Sequence, residues 1–230
     1  DRMEREPIYM LENEFLHARF SGEDMMLLSF RDKQSGEEFI ASGYGAGFVY
    51  REEVPTKCMP TAWIIGQFIK TELLRDCVRI LEVQNDPSNL KQWIKFGLKK
   101  GKINFTVIIS LLRGSRRLQY EVDGDWHVLP ENDDRIPQLA FTLPMTYSSE
   151  YFRYSVPFGT IDRQGMDMDV PASHFAMALR SDPKKMSLML HTDSKHGFRC
   201  KGNQMSLTLI RTSFRPNRYS DLGHHLFSFS

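Results

Sequence analysis

The sequence predicts an all-β fold, a large antiparallel β-sandwich in which residues 1–230 form a single domain. Apolar and polar residues alternate over several short segments, as in strands that bury one face. Turn-forming clusters rich in Gly, Pro, Asn and Asp separate these segments. Helical periodicity is weak, and the chain shows neither a repeat nor a low-complexity linker that would divide it.

Three strands are predicted within the first 74 residues. Residues 8–11 and 15–20 are predicted to form a neighbouring pair, because both are rich in apolar and aromatic residues. Residues 63–74 have the spacing of an amphipathic helix, but they are rich in β-formers and carry an internal Gly66. We therefore predict that this segment is extended over its whole length.

A β-hairpin is the clearest single prediction. Residues 103–111 place Ile, Phe, Val, Ile and Leu on one face, and residues 118–123 repeat the alternation after a turn at Gly114. Later strands are predicted at residues 186–190 and 204–211. Turns are predicted at residues 21–24, 35–36, 85–89, 100–102, 130–134 and 201–203.

The charge and the cysteines narrow the class of protein. The 30 basic and 29 acidic side chains give a net charge of +1, so we expect neither nucleic acid nor an anionic membrane surface as a partner. No apolar run approaches the ~20 residues of a membrane span. Cys58, Cys77 and Cys200 form no CxxC pair and are expected to be reduced thiols of a cytoplasmic protein.

Several motifs, taken in order, resemble the C-terminal β-domain of glycoside hydrolase family 38, the α-mannosidases. Near the start are LENEF at residues 11–15 and LSFRDKQSG at 28–36. YEVDGDWH at 120–127 and PQLAFTLP at 137–144 follow in the middle. The last third carries VPFG at 156–159, DSKHGF at 193–198, LTLIR at 207–211 and DLGHHLF at 221–227.

This resemblance implies a supersandwich of the galactose mutarotase-like type. It also implies that the chain is the C-terminal part of a larger retaining α-mannosidase, whose α/β barrel holds the catalytic aspartate and a zinc ion. We accordingly expect no catalytic residue, metal or cofactor in this chain, which would be inactive alone. The implied partners are a mannose-containing carbohydrate and the catalytic domain of the same protein, and homo-oligomer formation is left open.

Three residues are candidates for binding substrate: Arg211, Asp193 and Asp221. The resemblance implies that an arginine at the end of the 204–211 strand lies near the substrate pocket, and a guanidinium offers a fork of donors to sugar hydroxyls. The favoured alternative is a structural arginine paired with Asp193 or Asp221. Asp193, Lys195 and His196 share a turn, for which Asp and Gly are ordinary residues.

A metal site at Asp221, His224 and His225 is not predicted. Asp and His are good zinc ligands, but adjacent histidines in a strand point to opposite faces of the sheet. Two ligands reaching the same ion would therefore be unusual, and the sequence suggests no third.

Three alternating carboxylates, Glu121, Asp123 and Asp125, can share one face of a strand. Glycosidases use carboxylate pairs ~5–10 Å apart, and residues i and i+2 of a strand fall near that spacing. A solvated strand face is the favoured interpretation of these carboxylates. Trp63 and Trp126 could stack on a sugar ring, but both are predicted to be core residues.

Two other functions remain open at this stage. A freestanding carbohydrate-binding module would need a strip of exposed aromatic residues, for which Tyr147, Tyr151 and Tyr154 are candidates. A mutarotase-like epimerase would need a converging acid and base, such as His174 and Glu121. A domain that packs on another should also expose an apolar patch, for which the candidates are Phe158, Phe175 and Met177.

Overall fold

Antiparallel strands account for most of the described residues, and the all-β prediction is confirmed. The structure is a computed structural model that describes residues 8–43, 45–56, 60–130, 134–219 and 221–230, and no helix occurs among them. The strands are β1 (Ile8–Glu12), β2 (Leu16–Ser21), β3 (Leu27–Asp32), β4 (Gly47–Val54), β5 (Gln67–Leu73), β6 (Val78–Gln84), β7 (Lys91–Lys100), β8 (Ile103–Leu112), β9 (Leu118–Trp126), β10 (Ile136–Ser149), β11 (Tyr151–Val156), β12 (Gly159–Gln164), β13 (Met166–Pro171), β14 (Phe175–Ala178), β15 (Met189–His191), β16 (Gly197–Arg211) and β17 (Gly223–Phe229).

The strands form two five-stranded sheets and two smaller ones. One large sheet has the order β13-β16-β10-β4-β5, and the other has the order β17-β9-β8-β7-β6. A four-stranded sheet, β12-β11-β14-β15, continues from the second, because the amides of His191 and Ser230 each donate to the other's carbonyl at 2.8 Å. The remaining sheet, β1-β2-β3, is linked to the first by the Leu27–Ala46 and Ile40–Met145 bridges.

An aromatic cluster joins the two large sheets and forms the centre of the core. Phe48 of β4 and Phe141 of β10 come from the first sheet, while Tyr120 of β9 and Phe229 of β17 come from the second. Between the sheets, the ring centroid of Phe141 lies 5.1 Å from that of Tyr120 and 4.9 Å from that of Phe229. The inner faces of two sheets thus interdigitate, as in a β-sandwich.

The predicted hairpin and the first pair of strands are confirmed. β8 and β9 pair in antiparallel register from Ile103–Trp126 to Leu111–Leu118, and their apolar residues alternate into the core. β1 and β2 pair in the same way. The alternation of buried and solvated residues is a local property of a strand, which explains why the sequence located these elements correctly.

Three local predictions were wrong. Residues 63–66 form a turn and a loop, so β5 starts only at Gln67; a Cβ on Gly66 would lie 1.9 Å from the carbonyl oxygen of Val54, which shows how closely the two segments approach. Residues 186–188 lie outside β15. The turn predicted at residues 201–203 is instead a bulge within β16, where Gly202 has φ of 58° and pairs with Ser149.

The predicted positions of the tryptophans and cysteines had mixed outcomes. Trp126 is fully buried, as predicted, but the prediction for Trp63 was wrong, since this side chain is 73% exposed. Cys77 and Cys200 are free thiols, and Cys58 lies outside the described residues. No helix long and apolar enough to cross a membrane is found in the described ranges.

Candidate functional site

A bidentate ion pair between Arg211 and Glu53 lies at the centre of the candidate site. Gln138 of β10 is opposite Arg51 of β4 on one side and opposite Arg211 of β16 on the other, so the ends of three strands meet here. Arg211 donates from Nε to Glu53 Oε2 and from Nη2 to Glu53 Oε1, both at 2.8 Å. Glu53 is fully buried, and the charge of each residue compensates that of the other.

The prediction that a structural Arg211 would pair with Asp193 or Asp221 was wrong. Glu53 lies 158 residues away in the chain, and only the sheet order β16-β10-β4 brings the two residues together. One sequence signal existed, since Arg51 and Glu53 are residues of opposite charge that follow apolar Val49 on the same face of a strand.

The ion pair also anchors a loop, residues 60–66, which we call the Trp63 loop. Arg211 Nη1 donates to the carbonyl of Thr61 at 2.6 Å, and its Nη2 donates to that of Ile64 at 3.2 Å. The amide of Gly66 donates to Glu53 Oε1. Both members of the ion pair therefore contact the loop backbone, and these contacts satisfy polar groups that no regular strand pairing provides for.

The start of the Trp63 loop is attached to the segment after β16. The hydroxyl of Thr61 accepts hydrogen bonds from the amides of Phe214 at 3.2 Å and Arg215 at 2.8 Å. The amide of Ala62 donates to the carbonyl of Arg215 at 2.9 Å. The loop is thus held at several points along its length, although its central side chain, Trp63, extends into solvent.

Two cavities flank the Trp63 loop, and Trp63 and Ile65 line both. The smaller cavity has a volume of about 360 Å³ and the larger about 900 Å³. The polar residues of the smaller cavity are Lys195, Arg211, Ser213, Asp221 and His225. Those of the larger cavity are Arg51, Thr56, Gln67, Thr71, Asp167, Asp169, Arg199 and Gln204.

The smaller cavity contains two of the three predicted substrate-binding residues, Arg211 and Asp221. Lys195 joins them; burial lowers the pKa of its ammonium, an effect that the charge of Asp221 opposes. The Lys195 Nζ also lies 4.4 Å from the ring centroid of Phe227. The Nε2 atom of His225, a residue of β17, lies within hydrogen-bond distance, 2.8 Å, of the carbonyl oxygen of Asp221. The cavity thereby offers charges of both signs beside an exposed indole.

Asp193, the third predicted residue, is not among the residues that line this cavity. Its carboxylate accepts hydrogen bonds from the amide of Ser228 at 3.1 and 3.2 Å and from its hydroxyl at 3.0 Å. Burial acts to raise the pKa of Asp193, but hydrogen bonds from Ser194 and Ser228 outweigh this effect and lower the pKa. His196, from the same turn, contacts the carbonyl oxygens of Ala172 and Ser173.

The larger cavity contains two arginines that the sequence analysis did not identify. Arg51 is only 5% exposed; it donates to Gln138 Oε1 at 3.3 Å and to Ser206 Oγ at 3.1 Å. Burial lowers its pKa to about 10. Arg199 donates to Asp169 at 2.9 Å and to Asp167 at 3.2 Å.

The ring of Phe68 lies against both arginines of the larger cavity. The guanidinium carbons of Arg51 and Arg199 are 5.0 and 4.2 Å from its centroid. Such contacts stabilise a cation that has little access to water. The larger cavity consequently presents fixed donors and acceptors beside aromatic surface.

The alternating carboxylates of β9 lie on a solvated face. His224 is 3.0 Å from Asp123 and 3.3 Å from Asp125, and Glu121 pairs with Lys91 at 3.5 Å, all with exposed or half-exposed side chains. No group of three or more metal-ligating residues is found in the described part of the chain.

The aromatic strip required for a freestanding binding module is not formed by the three predicted tyrosines. Tyr154 is buried and Tyr147 is half-buried, with its hydroxyl bonded to Ala178 and Leu188. Only Tyr151 is exposed. The three candidates lie on two strands and in different environments, so they do not provide the exposed strip that this alternative function would need.

The predicted interface residues also differ in exposure. Phe158 is fully exposed at the tip of the β11–β12 hairpin, whereas Phe175 and Met177 are half-buried in β14. His174 and Glu121, the example given of an acid and base for an epimerase, line neither of the two cavities described above.

Comparison with known proteins gives one family. The sequence profile of the glycosyl hydrolases family 38 C-terminal domain matches residues 11–219. No match to the chain was found among curated proteins.

Solved structures share the fold at low identity. A glycosyl hydrolase family 38 protein from Enterococcus faecalis matches with a TM-score of 0.70, 13% identity, and coverage of 96% of this chain and 29% of that chain. An alpha-mannosidase from Enterococcus faecalis V583 matches with a TM-score of 0.71 and 12% identity, and the match covers 96% of this chain and 28% of that chain. A galactose mutarotase-like protein from Lactobacillus casei ATCC 334 matches with a TM-score of 0.50 and 11% identity, and the match covers 97% of this chain and 99% of that chain. The chain thus spans under a third of the length of the two family 38 structures.

Proposed function

Because the chain belongs to the family of glycosyl hydrolase family 38 C-terminal domains, we propose that it is the accessory domain of a retaining α-mannosidase. The profile match over residues 11–219 is the observation that carries this proposal. The whole protein would hydrolyse α-mannosidic bonds of glycans or oligosaccharides, with catalytic residues supplied by a separate catalytic domain of the same protein. This chain would be inactive alone.

The domain would pack on the catalytic domain and form one side of the substrate pocket. Phe158 supports such packing, because a fully exposed aromatic ring at a hairpin tip is suited to an interface. The smaller cavity supports the second role, because Asp221 and Lys195 lie there beside exposed Trp63.

The three candidate substrate-binding residues would act in different ways. Asp221 would accept hydrogen bonds from sugar hydroxyls directly. Arg211 would act mainly by holding the Trp63 loop, since its guanidinium already bonds to Glu53, Thr61 and Ile64. Asp193 would contribute indirectly by fixing the turn that carries Lys195.

Zinc, which the family implies, has no fitting site among the described residues. None of their His, Cys, Asp and Glu side chains form a group of three or more that could hold a metal ion. We propose that zinc and the catalytic aspartate belong to the catalytic domain, as the family resemblance implies, and that the protein is cytoplasmic, in keeping with the free thiols of Cys77 and Cys200.

The test is an α-mannosidase assay on this chain and on a longer protein that includes the catalytic domain, each with zinc and with a chelator. We expect hydrolysis of an aryl α-mannoside by the longer protein only, and loss of the activity with the chelator. NMR of the first-formed sugar should show the α-anomer, the product of a retaining enzyme. Zinc-dependent turnover by this chain alone, or an inactive longer protein, would contradict the proposal.

A further inference from the structure

Trp63 is an unusual residue in this fold because a large aromatic side chain is exposed on a well-anchored loop. It is 73% exposed, whereas Trp126 is fully buried and Trp93 is half-buried. Tryptophan is highly buried on average, and an exposed indole combines a flat apolar face with one N–H donor. That combination suits a ligand that has both C–H faces and hydroxyl groups.

The anchoring of the loop gives Trp63 a defined position. Backbone groups on both sides of it are bonded to Arg211, at Thr61 and Ile64, and Gly66 is bonded to Glu53. A group that is ordered before binding loses little conformational entropy when a ligand arrives. By bonding to the backbone of the loop, the buried ion pair therefore fixes the position of Trp63.

The surroundings of Trp63 favour a small polar ligand over a protein surface. The smaller cavity presents Lys195, Asp221 and His225, and the larger presents Arg51 and Gln204. Volumes of about 360 and 900 Å³ fall in the range of ligand cavities. The core of a protein interface is depleted of charged residues, unlike both of these cavities.

We propose that Trp63 is the stacking surface of a carbohydrate-binding subsite in this chain, with Arg211 and Glu53 as its positioning residues. A sugar ring would lie on the indole face, and its hydroxyls would bond to the charged groups of the two flanking cavities. The identity of the sugar as an α-linked mannose oligosaccharide rests on the proposed function. The subsite itself rests on the geometry of the Trp63 loop.

The test measures sugar binding directly on this chain. α-Mannotriose and methyl α-mannoside are titrated by calorimetry, and iodide quenching of tryptophan fluorescence is followed in parallel. We expect α-mannotriose to bind and to protect Trp63 from iodide. Trp63→Ala should weaken binding at least tenfold, whereas Trp63→Tyr should retain part of it. Leu90→Ala, at another exposed apolar residue, should leave binding unchanged.

The positioning role is tested with Glu53→Gln and, should that variant not fold, with Arg211→Lys, which keeps a cation beside Glu53 but loses the fork of donors that bonds to Thr61 and Ile64. Either change should weaken binding and also make the fluorescence anisotropy of Trp63 decay faster, with Trp93 and Trp126 replaced by Phe. Unchanged anisotropy would contradict the positioning role. Because the readout is local mobility, a purely structural contribution to stability would not reproduce it in a folded protein.

Two results would overturn the subsite: no binding of either sugar, or an unchanged Kd in Trp63→Ala. In the longer protein, a Trp63 that iodide cannot reach in the absence of sugar would assign it to the domain interface instead and would equally overturn the subsite. The proposed function and the subsite can fail independently of each other. An inactive longer protein would refute the proposed function, whereas sugar binding that depends on Trp63 would still support the subsite.

Discussion

Arg211 and Glu53 form a two-point ion pair, with both N–O distances at 2.8 Å, across a sheet in which neither residue's strand is adjacent to the other's. Glu53 has no exposed surface, and the Arg211 side chain is 10% exposed. The same guanidinium holds the loop that presents Trp63. Stability of the sheet ends and presentation of the candidate site therefore both depend in part on this ion pair.

We expect removal of one partner of this pair to destabilise the protein strongly. Arg211→Met would leave the carboxylate of Glu53 buried without its cation and should lower the free energy of unfolding by about 3–5 kcal/mol. Urea denaturation followed by far-UV circular dichroism measures this. The matched control is Arg153→Met, which breaks an exposed pair with Asp162 and should have little effect. Similar losses in the two variants would disprove the prediction.

Two buried or half-buried tyrosines should respond in opposite ways to loss of their hydroxyl. The hydroxyl of Tyr120 has no hydrogen-bond partner among the described residues, so Tyr120→Phe should leave stability unchanged or raise it by up to about 1 kcal/mol. Tyr147 donates to the carbonyl of Ala178 at 3.0 Å and accepts from the amide of Leu188 at 2.8 Å. Tyr147→Phe should therefore cost about 1–2 kcal/mol. Thermal unfolding of both variants provides the comparison, and equal shifts in Tm would argue against this assignment.

The stability of the protein should fall in acid partly through Asp32. Burial acts to raise the pKa of this carboxyl, but hydrogen bonds from Ser35, at 2.6 and 2.8 Å, and from Arg116, at 2.5 Å, outweigh it and lower the pKa. A pKa lower in the folded state than in the unfolded state means that the stabilisation is complete above the unfolded value. It is lost as the pH falls through the folded value.

The measurement is the free energy of unfolding between pH 7 and pH 2 for the unmodified protein and for Asp32→Asn. The variant should be less stable at pH 7 and should show a weaker dependence on acid below pH 4. A pH profile parallel to that of the unmodified protein would rule out a contribution from Asp32.

Replacing Phe158 should separate stability from docking. Phe158 is fully exposed and has φ of 68°, a left-handed conformation that glycine adopts without steric cost. Phe158→Gly should raise stability by up to about 1 kcal/mol, since the relief of steric strain exceeds the entropy that glycine loses on folding. Under the proposed packing on a catalytic domain, the same change should loosen that contact and increase proteolysis between the domains.

The control for this hairpin is Phe158→Asn, because asparagine also tolerates the left-handed conformation. It should resemble glycine in docking and differ only slightly in stability. If neither variant affects proteolysis of the longer protein, Phe158 is not part of the interface.

The amino-acid sequence by itself determined the all-β class and the β8–β9 hairpin, and its motifs identified the family. These features depend on alternation along one segment or on the order of motifs, and both can be read without knowing which strands are neighbours. Only the tertiary structure decided that Arg211 pairs with Glu53, that Gly202 forms a bulge and that Trp63 is exposed. Each of these features depends on how different segments of the chain pack together. The sheet order brings Arg211 to Glu53 and Gly202 to Ser149, and the close approach of Gly66 to Val54 constrains the loop that carries Trp63.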